Sequence, residues 1–243
     1  MLGDGTVWAV VALFSIVQSL FGLGLLVFGT PSLLLLGYEF LDALAILVPA
    51  SLAISLLQIV TAKETRPSIA GVLYWLCLPG IGLGLVLVRL GPPGPWVDYF
   101  VGFALLASAA LRLAVKNIQP LAAQQLAAWS PAYHLVMGLV HGLTNLGGAL
   151  LAILAASTHC DKRALRYMVA YYYVFFGLIQ LAVLVVLFER GPAVVSSWPG
   201  VVIAAAVYAL LGNRLFERAS ASVFQSLFTV FTAAYGVAVL VRA

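Results

Sequence analysis

Residues 21–33 read FGLGLLVFGTPSL, and their glycines and proline interrupt a long apolar run that extends from Val7 to Leu36. A helix of about thirty residues measures about 45 Å, which exceeds one crossing of a hydrocarbon core about 30 Å thick and falls short of two. Glycine and proline in its middle favour a break at that point. The sequence therefore predicts a re-entrant hairpin, which enters the bilayer, breaks, and returns to the face from which it came.

A similar stretch, HGLTNLGGALL at residues 141–151, interrupts a later apolar run. A shift of 123 residues superposes the two stretches and pairs three positions: Gln18 with His141, Gly22 with Asn145, and Gly24 with Gly147. The match predicts a second hairpin. The alternative is that these glycines only mark positions where helices pack closely.

The composition excludes several classes of protein. Of the 243 residues, 64% are apolar and only 8% are charged, against about 25% charged in an ordinary soluble domain. So few charges cannot cover a soluble surface, which excludes a soluble enzyme, a nucleic-acid-binding protein and a secreted disulfide scaffold. The sequence predicts an all-α polytopic membrane protein, with the lipid bilayer and no nucleic acid as a partner.

Basic residues between the apolar runs decide the topology. Eight runs follow one another, at 7–36, 40–62, 68–90, 96–115, 132–157, 164–188, 194–212 and 220–241. If all eight cross the membrane, six basic residues lie on each side. If the first and fifth are hairpins, nine of the twelve share one side: Lys63, Arg66, Arg112, Lys116, Lys162, Arg163, Arg166, Arg214 and Arg218. Since cytoplasmic loops carry excess Lys and Arg, we expect six full crossings of a cell inner membrane and an N-terminus outside.

Each half then consists of one hairpin followed by three transmembrane helices. We place the first repeat at 1–118, a cytoplasmic connector at 119–130 and the second repeat at 131–243. Three is an odd number of crossings, so the two halves face opposite ways. Inverted repeats of this kind are typical of secondary transporters.

The two glycine-rich segments and the layout of the whole chain resemble the TauE/SafE sulfite exporter family. The matching motifs are GLG at 22–24, the segment PSLLLLGY at 31–38, and NLGG at 145–148. The sequence departs from the family pattern in the first copy, where leucines follow the GLG in place of a fuller glycine triplet. The resemblance implies export of a small anion: sulfite, an organosulfonate, or a related sulfur oxyanion or carboxylate.

The groups predicted to lie in mid-membrane are neutral, because every Asp, Glu, Lys and Arg falls in a loop or near a helix end. An anion could instead use the N–H groups and positive dipole end of each returning hairpin arm, approached closely through glycine, together with polar side chains. The candidate substrate-binding residues are Gln18, Ser19, Gly22, Gly24, Gln58, His141, Thr144, Asn145, Gly147, Gly148 and Gln180.

Three of these candidates have a second interpretation. His141 is an anion ligand or a proton carrier, or else a neutral histidine bonded to a neighbouring carbonyl. Gln58 and Gln180 could instead form hydrogen bonds between helices. No metal or cofactor is expected, since the group His159, Cys160 and Asp161 is interpreted as a solvated loop.

The leading hypothesis is a transporter that binds its anion between the two hairpin tips at the bilayer midplane and exposes it alternately to each side. The alternatives are an anion channel, a membrane-embedded enzyme and an assembly protein without transport activity. We expect no enzyme, because Ser19 and His141 could pair only if the tips meet and no orienting carboxylate is near in sequence. The oligomeric state stays open.

Overall fold

The computed structural model describes residues 5–62, 70–91, 96–116, 128–158, 161–218 and 221–242. Within these ranges the regular structure is helical, without a β-strand. Most of the connector predicted at 119–130 lies outside the described residues, as do His159 and Cys160 of the predicted solvated loop.

Two helix pairs fold back on themselves where the glycine-rich stretches predict breaks. The first hairpin consists of α1 (Gly5–Phe21) and α2 (Leu25–Leu35), whose Phe14 and Phe28 rings lie 5.8 Å apart. The second hairpin consists of α7 (Ser130–Thr144) and α8 (Gly147–Thr158), in which Tyr133 donates a 2.7 Å hydrogen bond to the Leu150 carbonyl. Such contacts are impossible within one straight helix, so both predicted breaks are confirmed.

The backbone turns at equivalent residues of the two hairpins. Gly22 has φ +79° and Asn145 has φ +62°, the left-handed region that Gly and Asn adopt most readily. Each donates its N–H over 2.8 Å to the carbonyl four residues earlier, on Gln18 and His141 respectively. The shift of 123 residues pairs these same positions, so the two motifs form the same kind of turn.

Three longer helical segments follow each hairpin. In the first half they are α3 (Phe40–Thr61), then α4 (Ala70–Val72), a π-helical turn (Leu73–Cys77) and α5 (Leu78–Leu90), and finally α6 (Trp96–Lys116). In the second half they are α9 (Lys162–Val186), then α10 (Gly191–Ser196), α11 (Trp198–Val207), a π-helical turn (Tyr208–Gly212) and α12 (Asn213–Arg218), and finally α13 (Ala221–Arg242).

The helices have the lengths and surfaces of a membrane protein. Within the described part of the chain, three segments are long and apolar enough to cross a bilayer: Phe40–Thr61, Leu73–Leu90 and Lys162–Val186. Large apolar side chains point outward, among them Trp75 and Val60, which are 81% and 79% exposed. An outer surface of this kind suits hydrocarbon rather than water.

Helices α3 and α9 form the centre and run in opposite directions. Gly177 in the middle of α9 packs against Leu52 and Val48 in the middle of α3. The tip of the first hairpin then contacts the late residue Gln58 of α3 and the early residue Val169 of α9. A tip that contacts the end of one helix and the start of the other requires the two helices to be antiparallel.

Several packing contacts of one half recur in the other. Helix α1 packs on α11 while α7 packs on α5, and α3 packs on α11 while α9 packs on α5. Likewise α2 contacts α13 while α8 contacts α6. The last helices of the two halves also pack on each other, with Gly102 of α6 close to Gly236 of α13. Each hairpin is therefore held by helices of the opposite half.

Candidate functional site

The polar side chains at the tip of the first hairpin bond to α3. The Gln18 amide nitrogen has three acceptors within hydrogen-bond distance for its two N–H groups: the Ser51 carbonyl at 3.0 Å, the Ser51 hydroxyl at 2.9 Å and the Ser55 hydroxyl at 3.2 Å. The side-chain oxygen of Gln18 accepts the N–H of Leu25, the first residue of α2, at 3.3 Å. In this conformation Gln18 therefore satisfies the start of the returning arm itself.

The carbonyls that end α1 are capped from two sides. The Gln58 amide donates to the carbonyls of Gln18 at 2.9 Å and Ser19 at 3.3 Å. The Arg166 guanidinium also donates to the Ser19 carbonyl at 3.3 Å, and it lies over the Phe216 ring. A cation at the negative end of a helix is favourable, so Arg166 holds the first tip against the start of α9.

A chain of three hydrogen bonds joins the second hairpin to the first. His141 donates through Nε2 to the Gln180 oxygen at 3.2 Å, and the Gln180 amide donates to the Asn145 oxygen at 3.0 Å. The Asn145 amide in turn donates to the hydroxyl of Thr30, in the returning arm of the first hairpin, at 2.8 Å. We call these four residues the second-tip network. It contains side chains from both halves of the chain.

The predicted glycines are positions of close approach. A Cβ atom at Gly24 would lie 2.8 Å from the Gln18 nitrogen, and one at Gly147 would lie 2.5 Å from the His141 Cβ. A Cβ at Gly148 would overlap the Tyr173 hydroxyl, and Gly22 lies against Val169. Thr144 completes the second turn, because its hydroxyl donates to the Val140 carbonyl and accepts the Leu146 N–H. These glycines therefore lie where segments pack closely, as their alternative interpretation predicts.

The structure does not bring the two tips together at one depth. The first tip contacts α9 at Val169, whereas the second tip bonds to α9 at Gln180. Eleven residues of helix separate these positions, which is about 16 Å along the axis. Each tip therefore reaches past the middle of the bundle, and the candidate residues form two groups in place of one.

Gln58 and Gln180 are counterparts. Each lies at the same distance from the start of its helix, α3 or α9, and each bonds to the tip of the hairpin in its own half. Hydrogen bonding between helices is thus what both side chains do in this conformation. Every candidate side chain at the two tips is at most 2% exposed, so both groups are sealed from outside.

Several polar partners of the tips were not predicted from the sequence. Ser51 and Ser55 recur with the candidate Gln58 at helical spacing on one face of α3, a stripe that could have predicted their contact with α1. Thr30 and Tyr173 carry no such signal, because only the packing of the two halves places them beside the second tip. Among the described residues, no three His, Cys, Asp or Glu side chains are close enough to hold a metal ion.

Ion pairs and polar contacts fasten opposite ends of the bundle. At the start of α9, Lys162 donates to the Phe216 carbonyl at 3.1 Å and Arg163 pairs with Glu217 at 3.1 Å. At the start of α3, Arg190 pairs with Asp42 at 2.6 Å. These contacts join α9 to α12 at one end of the bundle and α3 to the start of α10 at the other.

Two broken-helix hairpins, apolar helices of spanning length and neutral polar groups buried at the tips define a helical membrane protein of transporter type. The family model "Sulfite exporter TauE/SafE" matches residues 7–239, and the chain belongs to this family. Membership implies a membrane transporter of a sulfur-containing anion. No curated protein and no solved structure matches the chain.

Proposed function

We propose that the protein carries a small anion, namely sulfite, an organosulfonate, or a related sulfur oxyanion or carboxylate, across a cell inner membrane by alternating access. The observation that carries this proposal is the second-tip network, in which Asn145 of one hairpin bonds to Thr30 of the other. A site that both halves contribute to changes when either half moves, as a substrate site between two repeats must.

The two halves are proposed to be inverted repeats with six full crossings and an N-terminus outside. Three observations support the inverted repeat, whereas the crossings and the orientation rest on the distribution of Lys and Arg in the sequence. The turn residues Gly22 and Asn145 share a left-handed backbone. The counterpart helices α3 and α9 are antiparallel, and the packing of each hairpin is repeated in the opposite half. Antiparallel counterparts are what a pseudo-two-fold axis in the membrane plane produces.

The substrate is proposed to bind at the second-tip network, beside the first turn of α8. Gly147 and Gly148 allow close approach to that backbone, and the positive end of the helix dipole favours an anion there. His141, Asn145 and Gln180 supply neutral hydrogen-bonding groups. The first-tip group around Gln18 and Gln58 is proposed to hold the first hairpin in place, so that this hairpin blocks passage of the anion on the other side of the binding site.

Alternating access would follow from movement of the hairpins relative to α3 and α9. Because the candidate side chains are at most 2% exposed, an anion can reach them only after such a movement. This movement would break the hydrogen bond of Arg166 to Ser19 or that of Asn145 to Thr30.

The proposal is tested by anion flux into proteoliposomes containing the purified protein. Radiotracer uptake and charge movement are measured with sulfite, sulfate, methanesulfonate and acetate. We expect saturable, selective flux that Asn145→Gly reduces at least tenfold, because glycine keeps the left-handed turn but removes the amide. Ser196→Ala is the matched control, since that exposed hydroxyl bonds only within α10.

Absence of flux for every anion, with correctly folded protein, would overturn the transport proposal. Flux that Asn145→Gly leaves unchanged would remove the second-tip network as the site. Flux that rises linearly with concentration and does not saturate would indicate a channel.

A further inference from the structure

The Tyr173 hydroxyl lies against the start of α8. Tyr173 is 1% exposed, and its hydroxyl has no hydrogen-bond partner among the described residues. It lies so close to Gly148, the second residue of α8, that a Cβ there would overlap it. A buried hydroxyl without a partner costs free energy, and this one lies beside a helix N-terminus, where a bound anion would accept its hydrogen.

A second unpartnered atom lies at the same turn. His141 donates through Nε2 to Gln180, which leaves Nδ1 as an acceptor, and this buried Nδ1 has no partner in the described part of the chain. Gly147, the first residue of α8, lies directly against the His141 side chain. The two open positions at the turn are therefore one hydrogen donor, on Tyr173, and one hydrogen acceptor, on His141.

The charges around this turn favour a ligand with a single negative charge. The sequence has no Lys or Arg at 1–62, 117–161 or 167–189, which include both hairpins and most of α9. The positive end of α8 amounts to about half an elementary charge. Because the cost of burying an ion grows steeply with its charge, a doubly charged anion would be poorly compensated here.

We propose that Tyr173, His141 and the first turn of α8 form a subsite for a singly charged oxyanion that keeps one proton, such as hydrogen sulfite. The Tyr173 hydroxyl and the N–H groups of Gly147 and Gly148 donate to its oxygens, and its own O–H donates to Nδ1 of His141. This inference rests on the proposed transport function and adds the charge and protonation state of the substrate.

The experiment compares two probes of similar shape on the full-length protein in lipid nanodiscs. Methanesulfonate keeps one negative charge throughout the neutral range, whereas methylphosphonate is a singly charged acid that loses its remaining proton above neutral pH. Binding of each is measured by calorimetry across that range. For the wild type we expect methylphosphonate to bind more tightly at low pH, and its affinity to fall about tenfold per pH unit once the dianion dominates. Methanesulfonate affinity should stay constant.

Tyr173→Phe removes only the hydroxyl, and we expect it to weaken binding of both probes about ten- to a hundredfold, as loss of a hydrogen bond to a charged group does. Tyr172→Phe is the matched control, because the neighbouring hydroxyl bonds to His134 at 2.8 Å, away from α8. Thermal stability of both variants establishes that they fold.

The outcomes separate this proposal from the transport function. Wild-type flux combined with tighter binding of doubly charged methylphosphonate would overturn the subsite and leave transport standing. The same holds if a folded Tyr173→Phe binds both probes like the wild type. Failure of the wild type to bind or transport any anion would overturn both. The pH dependence of the wild type alone decides the question if Tyr173→Phe does not fold.

Discussion

Replacement of Gln180 by leucine tests whether the second-tip network holds the two halves together. Leucine has nearly the volume of glutamine, so the change creates little cavity. It removes the acceptor of the His141 Nε2–H and the donor to the Asn145 oxygen, two bonds of 3.2 and 3.0 Å. Both remaining groups are buried and have no replacement partner along the described network.

The expected loss follows from these two bonds. In membrane proteins one interhelical hydrogen bond contributes about 0.6 kcal/mol on average and about 1.7 kcal/mol at most. Each buried group that loses its partner can add about 1 kcal/mol or more. We therefore expect Gln180→Leu to lower the free energy of unfolding by about 1–3 kcal/mol.

Gln58→Leu is the internal comparison, because Gln58 is the counterpart of Gln180 in the first half. Both main-chain carbonyls that accept from Gln58 keep another donor. The Gln18 carbonyl still accepts the Gly22 N–H, and the Ser19 carbonyl still accepts from Arg166. The Gln58 oxygen has no partner among the described residues, so its removal costs nothing. We expect a loss below about 1 kcal/mol.

The assay is reversible unfolding by SDS in mixed micelles, with helix content as the readout. A double-mutant cycle with Thr30→Val measures whether Gln180 and Thr30 are coupled through Asn145. Equal losses for Gln58→Leu and Gln180→Leu, or a coupling energy of zero, would refute the reasoning.

Three further predictions follow from local geometry. Gly148→Ala should lower the free energy of unfolding by about 1–3 kcal/mol through overlap with the Tyr173 hydroxyl. Tyr173→Phe in the same chain should restore part of it, because the Cζ atom of the ring still lies 2.8 Å from the added Cβ. If Tyr173→Phe restores nothing, overlap with the hydroxyl is not the cause. Gly22→Ala should cost about 1–2 kcal/mol because alanine resists a left-handed backbone, compared with Gly82→Ala, where the added methyl meets open space. The N–H groups of Ala164 and then Arg163 hold the pKa of the Asp161 carboxyl below its usual range, so its contribution to stability is present above the unfolded pKa and is lost as pH falls through the folded one. The stability gap between wild type and Asp161→Asn, measured by thermal unfolding, should therefore shrink on acidification.

The breaks in the two hairpins could be predicted because their causes are local. Gly22 and Asn145 tolerate a left-handed backbone, and the apolar run around residues 21–33 is too long for one crossing. The pairing of these two positions by a constant shift was likewise visible in the residues alone. The family resemblance rested on the same stretches and is confirmed by the match over residues 7–239.

The depth of the tips could not be predicted, because it depends on which helices receive them. Hydropathy indicates that a hairpin turns inside the apolar layer but does not show where its tip meets α9. Tyr171, Tyr172 and Tyr173 present the same difficulty. Neighbouring side chains on a helix point about 100° apart, and only packing decides that Tyr172 meets His134 while Tyr173 meets Gly148.

The bond between Asn145 and Thr30 also makes the two halves of the chain unlike each other. The shift of 123 residues pairs Asn145 with Gly22 and Thr30 with Ile153. Gly22 and Ile153 have neither an amide nor a hydroxyl side chain, so they cannot form the equivalent of the bond between Asn145 and Thr30. Two copies of either half could not form it. If the halves arose by duplication of one ancestral gene, they have since become specialised partners, and separately expressed halves should reassemble as a mixed pair and not as pairs of one kind.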